Sequence, residues 1–83
     1  MSAITPFANE TDSLQIGELI FENRTDRLEC YGSIVITRDQ VGLQLARALK
    51  QQLDATVLAL EAETLPTQLI TAAVERMNQP YFR

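Results

Sequence analysis

The chain has no histidine, no tryptophan, one cysteine, three glycines and three prolines. Without histidine, no side chain has an ordinary pKa near neutrality, and no hydroxyl or thiol has an imidazole to activate it. A lone cysteine cannot close a disulfide within the chain, which fits a reducing compartment. No apolar run approaches the ~18 residues that a membrane span needs. The opening Met-Ser-Ala-Ile-Thr-Pro lacks the basic and apolar regions of a signal peptide. A cytoplasmic protein is the expectation. Asn9-Glu10-Thr11 and Asn23-Arg24-Thr25 match the glycosylation sequon, which carries no weight without secretion.

Basic residues are few too. Seven lysines and arginines stand against eleven acids, for a net charge of −4. They are scattered, so neither the footprint of a nucleic-acid binder nor a basic face for anionic lipid is present. EF-hand loops, zinc-ligand spacings, P-loops and dinucleotide glycine patterns are also missing, and no cofactor or metal is expected.

What the chain does have is a long amphipathic stretch from Thr37 to Glu63. Val41, Leu45, Ala48, Leu49, Leu53, Val57 and Leu60 recur at steps of three and four, which at about 100° per residue predicts a helix over 38–63. Thr37-Arg38-Asp39-Gln40 reads as a capping box with Thr37 as N-cap. Ile36 and Val41 flank it at the spacing of a hydrophobic staple. Arg47, Lys50, Gln51, Asp54 and Glu61 gather opposite the apolar arc, with Leu43 and Leu58 toward the polar side.

Before the helix, two strands are expected, over 14–23 and 27–36, with the slip at Gly17-Glu18 marking a bulge. Asn23 to Asp26 is the turn between them. Folding there would set Phe21 against Leu28, Leu19 against Cys30 and Glu22 across from Arg27. Leu28, Cys30, Ile34 and Ile36 would face the helix, with Gly32 letting it approach. Residues 1–12 form a polar arm, mobile unless Ile4 or Phe7 docks. Thr64-Leu65-Pro66 ends the helix, and 64–83 is a second, shorter helix or an ordered tail.

The predicted architecture is therefore α+β: a ββα core over 13–63, with an antiparallel hairpin packed on one long helix. Chains of 83 residues bury only about 63% of their unfolded surface. The apolar arc is wider than the stripe of roughly 100° that one hairpin covers. A bare hairpin also leaves two open edges. Surplus apolar surface points to a homodimer, and Leu43, Val57, Leu58 and Leu60 are the helix residues expected at its interface. Tyr31 and Val35, with Ile20 nearby, would add a patch on the outer sheet face, and Tyr81 and Phe82 an aromatic terminus.

Candidate chemistry is thin. Cys30 falls on the apolar face and reads as a buried structural cysteine. Ser33 lacks both the second glycine of a nucleophile elbow and a base. Glu18, Glu22, Asp26 and Glu29 read as a solvated face. The function expected is a non-catalytic interaction module. The alternative is an antitoxin- or inhibitor-type regulator that binds a larger protein through its acidic surface.

Overall fold

The computed structural model describes residues 3–69. Three strands, β1 (Ser13–Ile16), β2 (Glu18–Asn23) and β3 (Leu28–Ser33), precede one helix, α1 (Gln40–Glu61). The strands form an antiparallel sheet in the order β1-β2-β3, with the helix against its β1 side. The α+β class and the single long helix follow the sequence pattern. The hairpin gains a strand.

That extra strand comes from Gly17. Ile16 pairs with Leu19, so Gly17-Glu18 is a two-residue hairpin loop and not a bulge. Gly17 takes φ +62°, and glycine at the first loop position is what a type II′ turn prefers. A side chain there would also crowd Ile34 at 3.2 Å. The slip in alternation was the chain reversing direction.

The β2–β3 register differs from expectation by two residues. Phe21 pairs with Cys30, Leu19 with Gly32 and Asn23 with Leu28. The loop is Arg24–Arg27, closed by the Arg24 amide donating to the Arg27 carbonyl at 3.0 Å. A shift of two preserves faces, so Leu28 and Cys30 keep the inward side with new partners and Ile34 packs on the core, but Ile36 is exposed. Glu22 faces Glu29, not Arg27. β3 ends at Ser33, which leaves Val35 and Ile36 beyond it. Gly32 takes φ +105°, and the atoms nearest a side chain there are the Glu18 carbonyl and Leu19, not the helix.

The helix starts later than the capping box implied. Asp39, in extended conformation, is the N-cap and accepts the Gly42 amide at 2.8 Å. Thr37 supports it by donating its hydroxyl to the Asp39 carboxylate at 2.7 Å. Both bonds, the hydroxyl first, hold that carboxyl below its ordinary pKa. The backbone of Thr37 folds over the first turn so closely that only a glycine fits at Gly42. With the cap two residues on, Ile36 and Val41 are not placed as a staple, and both are exposed.

Among the described residues the buried apolar set is small: Ile4, Ile16 and Phe21, flanked by Leu14, Leu19, Leu28, Ile34, Leu45, Ala48 and Leu49. Ile4 belongs to the N-terminal arm, which is therefore docked. Two buried amides hold it. Gln52 of α1 accepts the Ile4 amide at 2.8 Å and donates to the Ile4 carbonyl at 3.3 Å. Asn23 of β2 accepts the Phe7 amide at 2.8 Å and donates to the Thr5 carbonyl at 2.9 Å. Thr5-Pro6-Phe7-Ala8 closes as a turn, with Phe7 at φ +67°. Proline second and positive φ third is the pattern of a type II turn, usually met with glycine in that third place.

Thr64–Leu69 is not helical. The rest of the expected second helix, with Tyr81 and Phe82, lies outside the described residues.

Candidate interaction surface

The apolar arc of α1 splits in two. Gly42, Leu45, Leu49, Gln52 and Thr56 face inward at alternating steps of three and four, with Gly42 and Gln52 fully covered. Gln52 and Thr56 sit there because their polar groups are satisfied locally. The Thr56 hydroxyl donates to the Gln52 carbonyl at 2.8 Å, and the Gln52 side chain is taken up by Ile4. Once these two occupy the inner face, the remaining leucines and valines of the C-terminal half turn outward.

The outward stripe has its own regularity. Leu43, Ala46, Lys50, Leu53, Val57 and Leu60 follow steps of three, four, three, four and three, the a/d spacing of a heptad. Four of them are large and open: Leu43 is 44% exposed, Leu53 48%, Val57 51% and Leu60 37%. Arg47, Asp54 and Glu61 run along one flank at the heptad's e positions, and all are exposed. Lys50 bonds Asp54 one turn on, a solvent-exposed pair of small energetic weight.

Of the residues expected at an interface, Leu43, Val57 and Leu60 lie on this stripe, whereas Leu58 lies off it at 69% exposure. Leu53, expected in the core arc, belongs to the stripe. The 3-4 alternation beginning at Leu43 is the sequence signal that would have separated the two faces.

The outer sheet face is polar and tied together. Arg24 reaches the Glu22 carboxylate at 3.3 Å and that of Glu29 at 3.5 Å, so one guanidinium bridges a cross-strand pair of like charges. Arg27 pairs with Glu29 and Asp26, both at 3.0 Å. From the arm, Glu10 accepts the Thr25 amide and hydroxyl, each at 2.8 Å. Those bonds, the amide first, hold Glu10 below its ordinary pKa. Tyr31 is exposed and pairs across the strands with Ile20, yet its hydroxyl donates to Glu22 at 2.8 Å. That bond, ahead of desolvation, raises the phenol's pKa. Tyr31 is thus fastened to its own sheet. Val35, expected beside it on the strand, lies past the strand's end.

Cys30 corrects another expectation. It lies on the inward face, yet α1 packs on the β1 side and leaves this part of the sheet uncovered, so the thiol is exposed. Partial desolvation raises its pKa, the opposite of what a nucleophilic thiol requires. Ser33 is exposed as well. Among the described residues, no group of three or more cysteines and acids could hold a metal ion. No described helix is long and apolar enough to cross a membrane.

An open cleft of about 340 Å³ lies where Phe7, Thr25 and Asp26 meet the helix end at Leu60 and the following Leu65 and Leu69. Its walls are mostly apolar. Among the described residues, no buried charged or nucleophilic group faces it.

Comparison with protein families, with curated proteins and with solved structures yields no match.

Proposed function

We propose that this chain is a small, non-catalytic protein-interaction module of the cytoplasm that works as a homodimer. The observation that carries this reading is the outward stripe of α1, where Leu43, Leu53, Val57 and Leu60 stand open to solvent. Scattered surface leucines are common, but apolar groups contiguous along a helix are typical of contact surfaces. A core with three buried apolar residues among those described adds to the case, because a partner would supply burial that one copy lacks. Among the described residues, β1 and β3 have no strand on their outer edges, which points the same way.

Sedimentation equilibrium of the full chain over a wide concentration range tests the reading. The average mass is expected to rise from one chain toward two. A single-chain mass at every concentration, with a high thermal midpoint, refutes it.

A further inference from the structure

We propose that two copies join by laying their α1 helices antiparallel along the Leu43–Leu60 stripe, with Arg47 and Lys50 of each copy against Asp54 of the other. This deepens the self-association reading and rests on it.

Spacing comes first. Six a/d positions from Leu43 to Leu60 span about 26 Å at 1.5 Å per residue. An isolated peptide with so few heptads would be marginal, since helix nucleation is costly. Here the helix is already formed: Asp39 caps it, Thr37 props the cap, and Gln52 locks it to the arm. Pairing therefore orders side chains but no backbone.

Charge then selects the direction. In an antiparallel pair centred between residues 51 and 52, Leu43 meets Leu60 of the second copy, Ala46 meets Val57, and Lys50 meets Leu53. The e flanks face each other in that arrangement. Asp54 of the second copy then lies within about 3 Å, along the axis, of the levels of Arg47 and Lys50. The twofold axis repeats the contact, which places four cations and two carboxylates around the centre. A parallel pair would stack Lys50 on Lys50 and turn Arg47 toward a flank of Gly42, Leu49 and Thr56, none of them acidic. Like charges in contact are strongly disfavoured, and a lysine at one a position is a known device for fixing orientation at some expense of stability. The ends agree with the middle. Basic Arg47 and Lys50 lie in the first half of the helix, and acidic Asp54 and Glu61 in the second.

The experiment uses the full chain with Cys30→Ser, so that no native thiol interferes. Leu43→Cys and Leu60→Cys are each oxidised alone and as a mixture. Antiparallel pairing yields cross-linked dimer chiefly in the mixture, whereas a parallel pair links each variant to itself and overturns the proposal. In sedimentation velocity, Leu53→Lys is expected to weaken dimerisation about tenfold or more, since it sets a second cation against Lys50 of the other copy, twice in the seam. Circular dichroism should be unchanged, because Leu53 is half exposed. Arg47→Glu and Lys50→Glu combined with Asp54→Lys exchange the charges and should restore the dimer that Arg47→Glu with Lys50→Glu alone weakens. A dimer indifferent to Leu53→Lys overturns this geometry and leaves self-association standing. A wild-type chain that stays monomeric overturns both.

Discussion

Phe7 holds a left-handed backbone conformation, φ +67°, and Asn23 fastens it there by accepting its amide proton at 2.8 Å. Non-glycine residues in that region carry a strain of about 1–3 kcal/mol. The side chain of Asn23 has no solvent exposure, so both partners it serves, the Phe7 amide and the Thr5 carbonyl, depend on it. Replacing Asn23 by alanine should lower stability by about 2–3 kcal/mol by leaving these groups unpaired. Urea unfolding measures it, and a loss below about 0.5 kcal/mol, the scale of an ordinary surface substitution, would contradict the clamp.

Gln52 is the second clamp, and its charge variant should respond to pH. In Gln52→Glu a carboxylate still accepts the Ile4 amide but repels the Ile4 carbonyl, whereas the protonated acid satisfies both. The folded state therefore raises the pKa of the introduced acid above the ordinary value of about 4.3. Its favourable contribution is complete below that value and is lost as pH rises through the folded pKa. Urea midpoints for this variant, relative to wild type, should be better at pH 4 than at pH 7. Equal deficits at both would show that Gln52 does not bond the arm.

Gly42 should tolerate no side chain. The Thr37 backbone lies against it, so Gly42→Ala forces the cap apart even though alanine is the better helix former. A net loss of about 1–3 kcal/mol is expected. Stabilisation, measured in the same urea assay, would mean that Thr37 does not close over the first turn.

Two acids shape the response to low pH. Asp39 and Glu10 both titrate below their ordinary values, held there by Thr37 and Gly42 in one case and by Thr25 in the other. A depressed folded pKa contributes stability that is present above the unfolded value, about 4, and lost as pH falls through the folded one. Wild type should therefore weaken below about pH 4. Asp39→Asn with Glu10→Gln should flatten that decline, since an asparagine still caps. Thermal midpoints from pH 7 to pH 2 decide it, and an unchanged acid slope in the double variant would remove these acids as its source.

Cys30 should be accessible but slow. The native chain is expected to react fully with a thiol reagent without denaturant, because the side chain is exposed. Its raised pKa should make the reaction slower than that of a small free thiol at pH 7, and faster with alkali. Protection until unfolding would restore the buried assignment that the sequence suggested.

Much of the scaffold could be read from residue order, because it rests on periodicity. The helix and the inward set of β3 come from steps of three, four and two. The misreadings share a different origin. Gly17 reverses the chain in two residues, which a pattern-based strand cannot distinguish from a one-residue slip. Asp39 wins the cap from Thr37 because the Thr37 main chain lies against Gly42, a contact no spacing rule contains. Gln52 and Asn23 are the most hidden. Hydropathy assigns a polar amide to the surface, yet both are buried, because each serves a main-chain N–H and C=O on the arm. Knowing that Gln52 points inward is also what turns Leu53, Val57 and Leu60 outward.

Ile4 and Gln52 are separated by 48 positions. Protein synthesis runs from the N-terminus, so Ile4 must wait for most of the helix to be translated before it finds its place. The hairpin of β1 and β2 can zip at once, being local in sequence. The lid that Ile4 forms on the hydrophobic interior, however, is shut only once Gln52 has followed it, and until then its fellow apolar residues stay open to whatever else the cell offers.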